Sequence, residues 1–120
     1  MSRRQQPEAQ IQRAVMQHLE ARAAPGVFWF AVPNGGDRSP IEAAIMKGLG
    51  VTPGVPDVIA IKGGRAYCLE LKAEGGKLSD AQEHVLIKLR EAGAMATHTH
   101  GIDQAIRVLE GWELLRGHVS

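Results

Sequence analysis

The stretch VPDVIAIKGGRAYCLELKAEGGKLS, residues 55 to 79, contains the pattern that decides the fold. Two runs of apolar and β-branched residues flank the paired glycines Gly63 and Gly64, which is typical of a β-hairpin. Residues equally distant from the turn face each other across the two strands, so the neighbourhood of Asp57 should lie opposite that of Glu70. We therefore expect two central antiparallel strands with charged residues at their shared end.

Three charged residues interrupt this apolar pattern. Side chains alternate between the two faces of a strand, so Glu70 and Lys72 share one face, and Asp57 begins the partner strand. Paired carboxylates on a sheet are a common way to hold Mg²⁺ or Mn²⁺, which prefer oxygen ligands. A lysine beside them can orient or help deprotonate an attacking water, or stabilise charge on a phosphate. The alternative is a solvated strand face with ordinary exposed charges.

Helical and strand patterns continue on both sides of the hairpin. In chain order they predict a helix from Pro7 to about residue 25, a strand at 27–32, a helix at 39–50, the two hairpin strands, a helix at 79–93, a strand at 94–99 and a helix at 102–115. The order α-β-α-β-β-α-β-α indicates an α/β fold, a mixed central sheet of about four strands flanked by helices. We expect one domain over residues 1–120.

Two of the predicted helices carry a polar residue on the side that should meet the sheet. At about 100° per residue, Glu8 lies within roughly 60° of the apolar stripe that begins at Ile11. We therefore expect Glu8 to face the sheet, although an acid in a first helical turn is also favoured by the helix dipole. Gln82 lies on the inward side of its helix, but SDAQ also fits a capping box in which Gln82 bonds the backbone of Ser79.

Composition narrows the class of protein. A chain of 120 residues with 44% hydrophobic content is enough for one core, and a net charge of +1 excludes neither nucleic acid nor small molecules as partners. Cys68 is the only cysteine, so neither an internal disulfide nor a cysteine-based zinc site is possible. No apolar run approaches the roughly 20 residues of a membrane span, and the polar start lacks the features of a signal peptide. We predict a cytoplasmic protein without membrane association.

Two segments, GVPDVIAI at 54–61 and RAYCLELKAEGGKLSDAQ at 65–82, resemble the VRR-NUC domain, a branch of the PD-(D/E)xK nuclease superfamily. The resemblance spans nearly the whole chain, since it includes PEAQIQRAV at 7–15 and the PNGG turn at 33–36, and it is to the stand-alone, often phage-encoded members. It implies a restriction-endonuclease-like fold and hydrolysis of DNA phosphodiesters that depends on Mg²⁺ or Mn²⁺.

The resemblance also implies a role for each residue of the pattern. The residues that would bind the metal are Asp57, Glu70 and Leu71, the last through its backbone carbonyl. The residues with a catalytic or supporting role would be Lys72, the helix acid Glu8, and Gln82. These assignments place the whole candidate site at one end of the predicted hairpin.

DNA contacts are expected to be made mainly with phosphates, because no zinc finger or aromatic base-reading surface is visible in the sequence. The candidate cations, all in or beside loops near the presumed site, are Arg38, Lys47, Arg65 and Lys77, with ordinary surface charge as the alternative. Stand-alone family members resemble junction resolvases, and cutting both strands of a symmetric branch takes two sites. We therefore expect a homodimer that acts on branched DNA such as a four-way (Holliday) junction. The alternatives are a flap or sequence-specific nuclease and a non-catalytic DNA-binding module.

Overall fold

The computed structural model describes residues 6–33 and 38–117, so most of the predicted PNGG turn lies outside the described residues. The elements are, in chain order, α1 (Gln6–Arg22), β1 (Phe28–Ala31), α2 (Pro40–Gly48), β2 (Val58–Lys62), β3 (Arg65–Lys72), α3 (Asp80–Glu91), β4 (Met95–His100) and α4 (Gly101–Gly111). This order confirms the predicted fold class. Within the two described ranges, no helix is long and apolar enough to cross a membrane.

The four strands form one mixed sheet in the order β1-β2-β3-β4. β2 runs antiparallel to β1 and β3, whereas β3 and β4 are parallel. Lys62 lies opposite Arg65, and Val58 lies opposite Leu69. Continued by one residue, this register brings Asp57 opposite Glu70, so the predicted hairpin register is confirmed.

The turn between β2 and β3 fixes that register. Gly63 and Gly64 have φ angles of 58° and 78°, values in the left-handed region that L-residues with a Cβ disfavour. A two-residue turn of this kind matches the natural twist of the two strands. The paired glycines therefore determine which residues of the hairpin lie side by side.

One face of the sheet is covered by α1 and α4, and this is where the larger core cluster lies. The side chains at alternate positions of β3 point to this face and pack against apolar residues of the two helices. The buried members of this cluster include Ile11, Val15, Leu19, Leu69, Leu71, Ala105, Ile106 and Leu109. The remaining residues of β3, among them Glu70 and Lys72, consequently project from the opposite face.

The opposite face is covered by α3 over the half of the sheet formed by β3 and β4. Cys68 packs there against Leu86 and Ala96. The half formed by β1 and β2 keeps large apolar side chains in contact with solvent, among them Phe28 and Phe30. α3 therefore covers the sheet beside the site but leaves Phe28 and Phe30 on the β1 side in contact with solvent.

The last helix is shorter than predicted. It ends at Gly111, not at residue 115, because the chain turns at Glu113, whose φ angle is 63°. Leu114 and Leu115 are buried beyond the helix, and the carbonyl of Leu114 accepts a hydrogen bond from the Ala24 backbone at 2.8 Å. Leu114 and Leu115, which suggested a longer helix, thus belong to a loop that packs beside the end of α1.

Candidate metal centre and active site

Four polar side chains predicted for the site converge where β2 begins and β3 ends. Asp57 Oδ2 accepts a hydrogen bond from the backbone N–H of Leu71 at 2.9 Å. Gln82 Nε2, at the start of α3, donates to Glu70 Oε2 at 3.1 Å. The ammonium of Lys72 lies 3.8 Å from the same Glu70 oxygen. Glu70 is therefore the centre of the cluster.

The charged residues of β3 do not form a solvated strand face. Glu70 is 3% exposed and Lys72 is 9% exposed. Removing ionised groups from water is costly unless partners or a bound ion compensate for the lost hydration. The alternative considered from the sequence is thus wrong for both residues, and their burial calls for a function.

The chemistry of Glu70 points to a cation. Burial, followed by the nearby Asp57 carboxylate, raises the pKa of Glu70 to about 8, with Glu8 adding to the rise and Lys72 opposing it. Glu70 Oε1 is buried, and no hydrogen-bond donor of the described chain reaches it. A divalent cation would both occupy this oxygen and relieve the repulsion between the acids.

The donor set fits an ion that keeps much of its water. Nowhere in residues 6–33 and 38–117 do three His, Cys, Asp or Glu side chains come together as a possible metal cage. Mg²⁺ is usually bound through one or two carboxylates and retains several waters. Asp57 and Glu70 suit this ion and the similar Mn²⁺, whereas the carbonyl of Leu71 stays a prediction as a third ligand.

Glu8 lies at the border of the cluster. Its side chain is exposed in the first turn of α1, before the buried stripe begins at Ile11, so the expectation that it faces the sheet stays a prediction. Glu8 lines an open groove of about 910 Å³ together with Gly76, His100 and Arg107. Its charge nevertheless contributes to the raised pKa of Glu70, which places it within electrostatic range of the site.

Gln82 serves as a helix cap and as a partner of Glu70 at the same time. Its Oε1 accepts from the backbone N–H of Ser79 at 2.9 Å, while the Ser79 hydroxyl accepts from the Gln82 backbone N–H at 3.1 Å. Its amide nitrogen remains available for Glu70. The two interpretations drawn from the sequence therefore both hold, and the capping box aims the Gln82 amide at the site.

Replacing Gln82 with alanine should separate these two roles from each other. We expect both Gln82→Ala and Ser79→Ala to lose about 1 kcal/mol of stability, because each breaks the cap. Only Gln82→Ala should also weaken the stabilisation by added Mn²⁺, since it alone removes the bond to Glu70. Urea unfolding with and without Mn²⁺ measures both effects. Equal Mn²⁺ responses in the two variants would show that the bond to Glu70 is unimportant.

Gly54 is a residue of the site that sequence reasoning missed. It has a φ angle of 87°, and a Cβ built on it would lie 2.6 Å from the backbone carbon of Ala81 and 2.8 Å from the backbone nitrogen of Gln82. The loop before Asp57 therefore passes directly against the first turn of α3. Only a residue without a side chain permits this approach, which sets the distance between the two parts of the site.

Alanine at Gly54 should be more damaging than alanine at Gly50. Gly50 has a similar φ angle of 89° but open space around it, so both variants carry the cost of a left-handed conformation. Gly54→Ala must in addition displace the α3 backbone, and we expect it to lose about 2 kcal/mol more than Gly50→Ala. Chemical denaturation of the two variants measures the difference. Similar losses would contradict the close packing described for Gly54.

Two histidines of β4 border the site on its other side. His98 lies opposite Glu70 and His100 opposite Lys72 in the parallel register. The rings pack edge to face with centroids 5.2 Å apart, and His100 Nδ1 lies 3.1 Å from the carbonyl of Ala73. Burial, and then His100, lower the pKa of His98, which favours its neutral form. The alternation THTH was the only sequence signal for this pair.

The four cations predicted to contact DNA lie in different parts of the structure. Lys77 is exposed in the loop between β3 and α3, directly after the groove residue Gly76. Arg38 and Lys47 are exposed at the two ends of α2. Arg65 begins β3 and, at about 3.3 Å per residue, lies roughly 16 Å along the strand from Glu70. The prediction that Arg65 is near the site is therefore wrong, because the hairpin turn carries it to the opposite end of the sheet.

Comparison with known proteins agrees with the fold. The VRR-NUC domain family model matches residues 6–103. A solved structure described as a VRR_NUC domain protein aligns with a TM-score of 0.70 at 24% identity, covering 86% of this chain and 84% of that one. A second, described as a VRR_NUC domain, gives 0.60 at 20% identity and covers 88% and 97%. These identities establish likeness of fold only. A comparison with curated proteins finds no matching sequence.

Proposed function

This chain belongs to the VRR-NUC domain family, and we propose that it is a Mg²⁺- or Mn²⁺-dependent endonuclease that hydrolyses phosphodiesters of branched DNA. The family is one of nuclease-like fold, which suggests DNA as the substrate. One observation supports catalysis by this chain in particular. The buried Glu70 keeps an unpartnered oxygen beside Asp57 and Lys72, an arrangement that is unfavourable without a cation and well suited to one.

Each residue of the site would have its own role in hydrolysis. A divalent ion would supply positive charge for the scissile phosphate and activation of water. Asp57 and Glu70 would hold it, with Asp57 kept in place by the N–H of Leu71 and Glu70 by the amide of Gln82. Lys72 would orient the attacking water or stabilise the charge that develops on the phosphate.

Branched DNA is the substrate that the described fold favours. The described residues form one sheet with its helices and include no separate sequence-reading unit, so selection by DNA shape and phosphate contacts is the simpler design. Arg38, Lys47 and Lys77 are exposed cations that would contact the backbone. Paired cuts across a four-way junction need two sites, which two copies of the chain would provide.

A cleavage experiment on several DNA structures tests the proposal. The purified full chain is incubated with labelled four-way junction, flap, single-stranded and duplex DNA in Mg²⁺, in Mn²⁺ or in chelator. We expect metal-dependent cutting that is fastest on the four-way junction. Preference for a flap or for one duplex sequence would overturn the junction assignment. Binding of all four without cutting would overturn the nuclease assignment in favour of a DNA-binding module.

Lys77 and Arg65 form a matched pair for testing whether DNA lies along the groove that Glu8 and Gly76 line. Both are exposed cations, but only Lys77 adjoins the groove. We expect Lys77→Ala to weaken DNA binding and to reduce the slope of log affinity against log salt by about one, because one phosphate contact is lost. Arg65→Ala should leave both quantities unchanged. Fluorescence anisotropy at several salt concentrations measures them, and the opposite ranking would contradict this placement of DNA.

A further inference from the structure

The open groove beside the candidate metal site continues along the start of α4. Its volume is about 910 Å³, and its lining includes Glu8 from the first turn of α1 and His100 at the end of β4. Glu8 acts electrostatically on Glu70, and His100 lies opposite Lys72 in the parallel register. The groove therefore begins next to the residues that would act on the scissile phosphate.

Several charged side chains of the groove gather near the start of α4. Asp103 and Arg107 both line it and are four residues apart, so they lie one turn apart on the same side of the helix. Glu74 lies against the beginning of this helix, since its Cγ is 3.8 Å from where a Cβ on Gly101 would stand. The side chains of Glu74, Asp103 and Arg107 are exposed, and within the described residues none of them has a hydrogen bond or an ion pair.

The charge of the groove does not suit a run of phosphates. Among the described residues that line it, Glu8, Glu74 and Asp103 are acids and Arg107 is the single arginine. Carboxylates repel phosphates, so only the neighbourhood of Arg107 favours one. Carboxylates are, however, good acceptors for the amino groups of nucleobases. The groove thus offers one place for a phosphate and several acceptors for a base.

The size of the groove suits a ligand as small as a nucleotide. Pockets that bind small ligands measure about 300 to 1,000 Å³, a range that includes this groove. Gly75 and Gly76 line it without side chains, and Ile102, which is 39% exposed, adds an apolar surface against which a base can pack. A paired base is stacked inside the duplex and cannot reach such a surface unless it is extruded. The groove therefore favours a nucleotide that is unpaired.

We propose that the groove is a subsite for one unpaired nucleotide of the strand being cut. Arg107 binds the phosphate of this nucleotide, and Ile102 packs against its base. Glu74 and Asp103 accept hydrogen bonds from the amino group of that base. Cytosine, adenine and guanine carry an amino group, whereas thymine does not. The subsite therefore disfavours thymine.

The subsite narrows the class of DNA that the chain would cut, and this consequence rests on the proposed function. Unpairing costs least where a base is mismatched or already single-stranded. A branch point that carries an unpaired nucleotide meets this condition. We expect a four-way junction with one unpaired cytosine at the branch to be cut faster than the fully paired junction or the same junction with an unpaired thymine.

Binding of short single strands in chelator tests the subsite without cleavage. Oligomers of deoxycytidine and of thymidine, two pyrimidines of similar size, are compared by fluorescence anisotropy. We expect the parent chain to bind the cytosine oligomer about 5-fold more tightly or better, the low end of discrimination by one base contact. The double variant Glu74→Ala/Asp103→Ala should lose this preference. The preference is a ratio, so the change in net charge, which affects both oligomers alike, does not alter it.

Two arginine variants test the phosphate contact. Arg107→Ala should weaken the binding of both oligomers and lower the slope of log affinity against log salt by about 0.7, the value for one phosphate of a single strand. Arg13→Ala, at an exposed position of α1 outside the groove, should bind both as the parent does. All the substituted side chains are exposed, and circular dichroism checks that each variant is folded.

The outcomes separate the subsite from the nuclease activity. Equal binding of the two oligomers by the parent, binding of neither, or a cytosine preference that survives in the double variant would overturn the subsite. Faster cutting of the fully paired junction than of the junction with an unpaired cytosine would also overturn it. A cytosine preference that the double variant loses, in a chain that cuts no junction, would retain the subsite and overturn the proposed function alone.

Discussion

Replacing Lys72 with alanine is expected to slow DNA cleavage by roughly 10²- to 10⁴-fold, the range typical of removing a group that assists proton transfer. Lys72 is almost fully buried and its ammonium lies 3.8 Å from Glu70, so its charge acts at the site and not in solvent. The loss should appear in the single-turnover rate with Mg²⁺ or Mn²⁺. DNA affinity should change little, because Lys72 is not part of an exposed phosphate-binding surface.

Two further variants make the Lys72 result specific. Lys72→Arg keeps the positive charge but changes the shape and acidity of the group, so it should recover only part of the rate if proton transfer matters. Lys77→Ala removes a nearby exposed charge and should affect binding more than the rate. If Lys72→Ala cuts at the parent rate, Lys72 has no role in the chemistry.

The second large expected effect is a dependence of folding stability on pH, which arises from Glu70 when no metal is bound. The folded pKa of about 8 lies above the ordinary value of 4.5, so the folded chain binds this proton more tightly than the unfolded chain does. The stability that this provides is fully present below pH 4.5 and is lost as the pH rises through 8. A shift of this size corresponds to several kcal/mol, on the order of 1.4 kcal/mol for each pKa unit.

Glu70→Gln should remove this pH dependence. Near pH 9 in chelator we expect the variant to unfold at a higher denaturant concentration than the parent, whereas near pH 4.5 the two should be similar. Mg²⁺ should stabilise the parent and not the variant, because only the parent has the ligand. Glu83→Gln, at an exposed position of α3, is the control. A parent chain with the same stability at pH 5 and pH 9 would contradict the raised pKa of Glu70.

The hairpin and its acids were predictable because the signals that define them are local. A two-residue glycine turn and an alternation with period two fix both the register and the face of every side chain, so Asp57 and Glu70 could be placed opposite each other from the sequence. The same reasoning placed Gln82 near the site, since a capping box and an apolar stripe both lie within a few residues of it. The resemblance to the VRR-NUC domain then supplied a chemical role for Asp57, Glu70 and Gln82.

The features that sequence reasoning missed depend on packing between distant segments. The close approach of Gly54 to Ala81 exists only once α3 has docked on the loop before Asp57. Arg65 was misplaced because it was judged by its loop and not by which end of the hairpin that loop occupies. In each case the deciding partner lies elsewhere in the chain.

Binding of Mn²⁺ measured by calorimetry at pH 7 is the most direct test of the central claim, that Asp57 and Glu70 form a metal site. Glu70 should be mostly protonated in the metal-free chain, so binding should release close to one proton, about 0.9 for a pKa of about 8. Repeating the titration in buffers of different ionisation enthalpy counts that proton. We expect binding with proton release in the parent and neither in Glu70→Gln. Equal Mn²⁺ affinity in the two proteins, or binding without proton release, would contradict the account.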